Sequence, residues 1–185
     1  EEKLFNKIVE EKLSGKPLAH IIGEAEFMGR LFSVGPTVLI PRPETEELVE
    51  ETIKNLPLKR PSRILDLCSG SGCIAISLAF TFPSAEIIGA DISPEALQVA
   101  RKNAENMNLG KKVNFIQSDV FENISGEFDF IISNPPYIPT DVIATLSPEV
   151  RNEPRLALDG GPDGLDVIRK IISSAPAYLK PGGLL

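Results

Sequence analysis

Residues 63–75 read Arg63-Ile64-Leu65-Asp66-Leu67-Cys68-Ser69-Gly70-Ser71-Gly72-Cys73-Ile74-Ala75. The segment starts as an apolar run of strand length, passes through a short loop with two glycines, and continues into an apolar stretch of helical length. The glycines permit a tight turn and a close approach of a ligand to the backbone, and the helix that follows presents free amide groups at its N-terminus. The stretch therefore predicts a strand, a ligand-binding loop and a helix in direct succession.

The chain beyond this stretch continues to alternate strands and helices. The apolar pattern predicts strands at 63–67, 86–91, 113–117 and 128–133, helices at 73–82, 94–107 and 163–178, and a turn at 181–183 that enters a fifth strand. Such alternation specifies a doubly wound, mainly parallel sheet in the α/β class.

The first third of the chain has a different pattern. Apolar residues at helical spacing predict a helix over residues 1–14, and short strands with glycine turns are predicted at 21–23, 26–29, 31–36 and 38–40. A further helix is expected to open at Pro41–Glu46 and to run to about Asn55. We therefore divide the chain into a helical segment at 1–18, a β-hairpin linker at 19–42 and an α/β domain at 43–185.

Composition narrows the classes of partner. The chain has 185 residues, 42% of them apolar, and 26 acidic against 19 basic residues give a formal charge of -7. This balance disfavours a general phosphate-binding surface and hence nucleic acid as the direct substrate. No apolar run reaches membrane-spanning length, and no membrane partner is expected. Two cysteines in one apolar region indicate a reducing compartment, which predicts a cytoplasmic protein, and a single histidine predicts no metal site.

Acidic residues at the predicted strand ends indicate an adenosine cofactor. Asp91 closes the second strand nineteen residues after Gly72, where a carboxylate accepts hydrogen bonds from both hydroxyls of a ribose. Asp119 follows the third strand and is placed to meet the adenine amine, with Val120 or Phe121 beside the ring. A helix or turn cap is the alternative role for Asp119.

Asn134-Pro135-Pro136-Tyr137 follows the fourth strand. Prolines donate no hydrogen bond and the residue before a proline is extended, so the segment forms a rigid cup with unused acceptors. A planar NH2 group fits this cup, with one hydrogen on the Asn134 side-chain oxygen, the other on the Pro135 carbonyl, and Tyr137 over the flat face. The expected guest is an amide or an exocyclic amine. A simple proline-rich turn is the alternative.

Two adenosine cofactors, a dinucleotide and S-adenosylmethionine, are alternative ligands for the glycine loop. Gly70-x-Gly72-x-x-Ala75 also fits the dinucleotide fingerprint of a Rossmann dehydrogenase. That interpretation leaves the Asn134 cup unused and does not require Asp66. S-adenosylmethionine carries an ammonium group that Asp66 and the loop can accept, so the loop and the cup together favour methyl transfer to nitrogen.

The combination of Asp66-x-x-x-Gly70-x-Gly72, Asp91, Asp119 and Asn134-Pro135-Pro136-Tyr137 resembles the class I S-adenosylmethionine-dependent methyltransferases. A more specific resemblance, to the HemK/PrmC family of release factor glutamine methyltransferases, covers about residues 20–185. It is carried by Gly23-x-x-x-Phe27-x-Gly29, by Val38-Leu39-Ile40-Pro41-Arg42-Pro43-Glu44-Thr45-Glu46 and by Glu153-Pro154-Arg155-Leu156-Ala157-Leu158-Asp159-Gly160-Gly161.

The resemblance implies a Rossmann-like methyltransferase sheet that stops after the start of its fifth strand, preceded by the hairpin linker and by a remnant of an N-terminal helical domain. Two further strands of the family are not in the chain. Cys68-Ser69 stands where the family usually has Gly-Thr.

The implied reaction methylates the side-chain amide of the glutamine in the Gly-Gly-Gln motif of class-1 peptide chain release factors, and leaves S-adenosyl-L-homocysteine. The expected catalytic residues are Asn134, Pro135 and Tyr137, and Pro136 joins them in binding the substrate. The residues expected to bind the cofactor are Asp66, Cys68, Ser69, Gly70, Ser71, Gly72, Asp91, Asp119, Val120 and Asn134.

Two other functions stay open on the sequence. A DNA or RNA amino methyltransferase uses the same cup on a base amine but needs a basic groove. The second of these functions is that of a fragment that binds S-adenosylmethionine without turnover, or of a scaffold for release factors. Arg42, Thr45 and Glu46 are expected either to close over the cofactor or to cap a helix, and Glu153 and Arg155 either to touch the substrate or to form a structural pair.

Overall fold

A computed structural model describes residues 2–55 and 62–185. In chain order its elements are α1 (Glu2–Leu13), α2 (Leu18–Ile22), β1 (Glu24–Phe27), β2 (Arg30–Ser33), α3 (Pro43–Asn55), β3 (Arg63–Leu67), α4 (Cys73–Thr81), β4 (Glu86–Asp91), α5 (Pro94–Asn106), β5 (Val113–Gln117), β6 (Phe128–Ser133), α6 (Pro148–Arg151), α7 (Asp166–Ser174) and β7 (Leu179–Leu184).

The main sheet has five parallel strands in the order β5-β4-β3-β6-β7. The chain leaves β3 towards β4 and β5 and then returns to place β6 on the other side of β3. A crevice opens between β3 and β6 at such a reversal, outside the carboxyl ends of the strands. The predicted α/β fold with a doubly wound parallel sheet is confirmed.

Both faces of the sheet are covered. Side chains alternate along β3, so Ile64 joins the apolar cluster on one face and Leu65 and Leu67 join the cluster on the other. Helices α3, α4 and α5 cover the first face, and α7 covers the second. This two-sided burial explains why the central strands are continuous apolar runs in the sequence.

The linker forms a hairpin, as expected, but with fewer strands. β1 and β2 pair antiparallel across a turn at Met28 and Gly29. Two predictions were wrong here: residues 21–22 end helix α2, and residues 38–40 form no strand. Gly23 caps α2 in a left-handed conformation, with φ at 87°. The backbone N–H of Ile40 donates to a Glu153 side-chain oxygen instead of to a neighbouring strand.

The C-terminal elements also differ from prediction. Helix α7 begins at Asp166, not at residue 163, and its last turn passes into a 3-10 turn over Ala175–Ala177. The turn predicted at 181–183 lies inside β7, where the pairing shifts from Phe128 with Leu179 to Phe130 with Leu184. Proline and two glycines bulge out of the strand there, because an edge strand tolerates residues that do not complete the ladder.

Candidate active site

Three residues of the loop between β3 and α4 have left-handed backbone conformations: Cys68 with φ at 59°, Gly70 at 52° and Gly72 at 79°. The two glycines serve different purposes. A Cβ on Gly70 would meet nothing within 4 Å, so its backbone is open to a ligand, whereas a Cβ on Gly72 would lie 3.0 Å from the Phe115 ring and 3.1 Å from Ala100. Gly70 keeps the backbone accessible, and Gly72 allows the loop to pack on α5 and β5.

Asp91 links the end of β4 to this loop. One carboxylate oxygen accepts a hydrogen bond from the Gly70 N–H at 2.8 Å, and the other accepts from the Ser93 N–H at 2.9 Å. Burial raises the pKa of Asp91, and the two amide hydrogen bonds oppose that rise. Each oxygen keeps lone pairs for a ligand hydroxyl, so the carboxylate is held in a fixed orientation at the crevice.

Asp66 lies beneath the loop, fully buried. Its Oδ2 accepts from the Ala75 N–H at 3.1 Å, which ties β3 to the first turn of α4. Its Oδ1 and the buried hydroxyls of Ser69 and Ser71 have no hydrogen-bond partner among the described residues. Burial raises the pKa of Asp66 well above its usual value. Each of these buried atoms can take a further hydrogen bond, as can the buried hydroxyl of Ser77 in α4.

Asn134 lies at the crevice between β3 and β6. The Ser133 hydroxyl just before it donates to the Leu67 carbonyl at 2.8 Å, which fixes the end of β6 against β3. The Asn134 side-chain NH2 donates to the Thr45 hydroxyl at 3.0 Å. Farther along, Tyr137 is exposed, with 60% of the residue accessible to solvent. The tetrapeptide thus has an anchored amide at one end and an open aromatic ring at the other.

A cavity of about 250 Å³ joins these parts. Seven of the residues predicted for cofactor or substrate line it: Cys68, Gly70, Asp91, Asp119, Val120, Asn134 and Pro136. Asp66, Ser69, Ser71, Gly72, Pro135 and Tyr137 do not line it, so their direct contact with a ligand stays a prediction. The cavity combines fixed carboxylates with apolar walls, as expected for an adenosine-type cofactor.

Sequence reasoning missed part of the cavity wall. Lys170 on α7 lines it and donates to the Asp119 carboxylate at 3.1 Å. Residues 37–39 and the residues Pro154, Leu156 and Ala157 line it as well, and we call these two stretches the closing segments. No spacing rule connects Asp119 to Lys170, 51 positions downstream, and the motifs around Val38 and Glu153 were used only for the family resemblance.

Glu153 joins the two closing segments. Its buried carboxylate accepts from the Ile40 N–H at 2.9 Å and forms an ion pair with Arg42. Glu153 and Arg155 do not form the structural pair that the sequence left open, because each pairs with a different residue, and a contact of either with the substrate stays a prediction. Glu46 accepts from the Met28 N–H at 2.5 Å and so ties α3 to the hairpin, and Arg155 pairs with Asp159 on the surface.

The family model described as Methyltransferase small domain matches residues 47–146. These residues include the glycine loop, Asp91, Asp119 and the whole Asn134 tetrapeptide. The chain belongs to this methyltransferase family. The Rossmann-like methyltransferase fold predicted from the sequence is confirmed.

Curated relatives align with nearly the whole chain. The chain is 47% identical over 180 residues to a protein of Geobacter sulfurreducens named release factor glutamine methyltransferase, with 96% of this chain and 62% of the relative covered. It is 49% identical over 174 residues to a protein of the same name from Thermosynechococcus vestitus, covering 91% of this chain and 60% of the relative. The predicted resemblance to this family is confirmed, and the chain spans about three fifths of the length of these relatives.

Solved structures agree on the architecture of the methyltransferase domain. A T. thermophilus 16S rRNA methyltransferase in complex with AdoMet and guanosine superposes with a TM-score of 0.64 at 24% identity, over 87% of this chain and 40% of that one. This likeness shows the fold alone. In the described ranges 2–55 and 62–185, the helices are too short or too polar to cross a bilayer.

Proposed function

We propose that this chain binds S-adenosylmethionine in the cavity at the ends of β3, β4 and β6. We further propose that it methylates the side-chain amide nitrogen of the glutamine in the Gly-Gly-Gln motif of class-1 peptide chain release factors. The observation that carries the proposal is the Asn134 amide, fixed at the crevice between β3 and β6 beside a cavity lined by Asp91 and Gly70. S-adenosyl-L-homocysteine is the product left behind.

Several residues of the chain suit the cofactor. The two fixed oxygens of Asp91 accept from the ribose hydroxyls, and Asp119 accepts from the adenine amine beside Val120. The open backbone at Gly70 and the unsatisfied atoms of Asp66, Ser69 and Ser71 suit its amino acid end. When bound, the cofactor supplies an electrophilic methyl group.

The acceptors at residues 134–137 suit an amide as substrate. The Asn134 NH2 already donates to Thr45, so its Oδ1 accepts one hydrogen of the glutamine amide and the Pro135 carbonyl accepts the other. An amide nitrogen is a poor nucleophile, and catalysis depends on holding it in line at near-attack distance. The two acceptors also favour the positive charge that develops on nitrogen, and the proton leaves to solvent after the carbon–nitrogen bond has formed.

The relatives support the substrate class. The two described above are named release factor glutamine methyltransferases and align with more than nine tenths of this chain. A protein that modifies release factors works where translation occurs, and we accordingly place this chain in the cytoplasm.

The competing functions are less well supported. A nucleic-acid methyltransferase needs a basic groove, but the chain has a formal charge of -7. A binder without turnover leaves the acceptors proposed for Asn134 and Pro135 without a role.

Transfer of labelled methyl from S-adenosylmethionine to purified release factor tests the proposal. We compare the wild-type chain with Asn134→Ala and with Asn114→Ala, a control at an exposed position of β5. Loss of one acceptor that stabilises developing charge lowers kcat by about 100-fold or more. We expect that loss for Asn134→Ala and full activity for Asn114→Ala. Equal rates in the two variants would reject the role of Asn134.

A further inference from the structure

Thr45 contacts Asn134 from a distant part of the chain. Its hydroxyl oxygen accepts the hydrogen bond from the Asn134 NH2 at 3.0 Å, across 89 positions of sequence. The Thr45 side chain is buried, with 6% of the residue exposed, in the first turn of α3. A buried side chain in a helix is a more rigid anchor than a surface group.

Helix α3 is itself fixed at this end. The Thr45 N–H donates to the Arg42 carbonyl at 3.0 Å, and Arg42 is paired with buried Glu153. A continuous series of one ion pair and two hydrogen bonds therefore links Glu153, through the start of α3, to the Asn134 amide. We infer that Thr45 is the positioning residue that holds the Asn134 side-chain oxygen towards the substrate amide, an inference that rests on the proposed function.

The chemical reason lies in the asymmetry of the asparagine amide. One end of that amide accepts and the other end donates, and a substrate NH2 group needs only acceptors. With the NH2 end bound to Thr45, the oxygen end points away from α3, and none of the described residues donates a hydrogen bond to it. Without the Thr45 hydroxyl the amide rotates, and a fraction of the molecules presents two donors to the substrate.

The inference predicts an effect on turnover and not on cofactor binding. Thr45→Val keeps the shape of the side chain and removes the acceptor, whereas Thr45→Ser keeps the acceptor. We expect kcat to fall about tenfold in Thr45→Val, the effect of one neutral hydrogen bond. We expect Thr45→Ser to stay within about twofold of wild type, and all three proteins to bind S-adenosylmethionine equally by calorimetry.

The side-chain NH2 resonance of Asn134 gives a second readout, and its assignment comes from the signal that disappears in Asn134→Ala. Thr45→Val should shift this resonance and speed its hydrogen exchange, while Thr45→Ser should preserve both. A merely structural role predicts equal losses of kcat in the two Thr45 variants or an unchanged resonance, and either result would overturn the inference. Wild-type protein that transfers no methyl to release factor would instead reject the proposed function, and the role of Thr45 with it.

Discussion

Removing the Glu153 side chain should destabilise the protein and weaken its cofactor site. The carboxylate is 2% exposed and holds two partners: the Ile40 N–H at 2.9 Å and Arg42, whose side chain is 35% exposed. In Glu153→Ala the buried N–H loses its partner at a cost of about 1–2 kcal/mol, and the charge-assisted bond to partly solvated Arg42 is worth about 1.5 kcal/mol. The free energy of unfolding should therefore fall by about 3 kcal/mol.

Urea denaturation, with the same slope required of every variant, measures this change. Glu153→Gln keeps an oxygen for Ile40 and should lose only about half as much, roughly 1.5 kcal/mol. Glu149→Ala is the matched control, because Glu149 pairs with Lys12 where both side chains are exposed, at 50% and 38%. It should cost less than about 0.5 kcal/mol.

The same variant should bind S-adenosylmethionine more weakly, because residues 37–39 line the cavity just before the bond to Ile40. Calorimetric titration of the folded protein measures the dissociation constant. A Glu153→Ala protein as stable as Glu149→Ala, or one that binds the cofactor as tightly as wild type, would refute the view that Glu153 holds the closing segment.

Four further expectations concern cysteines and glycines of the chain. Cys68 has φ at 59°, so Cys68→Gly should be about 1 kcal/mol more stable to urea than Cys68→Ala, and equal stabilities would contradict the backbone argument. A Cβ on Gly89 would lie 2.5 Å from the Phe115 ring, so the free energy of unfolding of Gly89→Ala should be about 1–3 kcal/mol lower than that of wild type. Gly35→Ala, with open space around the new methyl group, should match wild type in the same urea assay. Burial raises the pKa of the Cys68 and Cys73 thiols to about 12, so both should react slowly with a disulfide reagent at pH 8 until urea unfolds the chain. Because unfolded thiols ionise first, the free energy of unfolding should fall as pH rises from 9 towards 12, and rapid labelling of the folded protein would contradict both statements.

The central strands β3, β4 and β6 were predictable because they are buried on both sides of the sheet. The bounds of β3, β4, β5 and β6 agree with the sequence prediction at both ends. Continuous apolar runs separated by helical segments leave few alternatives for such strands.

The errors fall where local sequence does not decide the partner. Residues 38–40 have the composition of a strand, but the Ile40 N–H is bound by Glu153, 113 positions away. Residues 181–183 have turn chemistry and still lie within β7, because the edge strand absorbs them as a bulge. In both cases a contact that is distant in sequence decides the structure.

The candidate site likewise contains residues that the sequence predicts and contacts that it does not. Strand-end residues such as Asp91 and Asn134 were predictable, because the carboxyl ends of parallel strands meet at one edge. The contacts of Thr45 and Lys170 were not, because each depends on how a helix packs against that edge.

The position of the transferred methyl group tests the central claim most directly. We would incubate the chain with S-adenosylmethionine and an equimolar mixture of release factor, DNA and RNA, and locate the label by mass spectrometry. We predict one methyl group on the side-chain nitrogen of the Gly-Gly-Gln glutamine, absent when that glutamine is replaced and transferred about 100-fold or more slowly with Asn134→Ala. Label on a nucleic-acid base, or on no component although the cofactor binds, would contradict the proposed function.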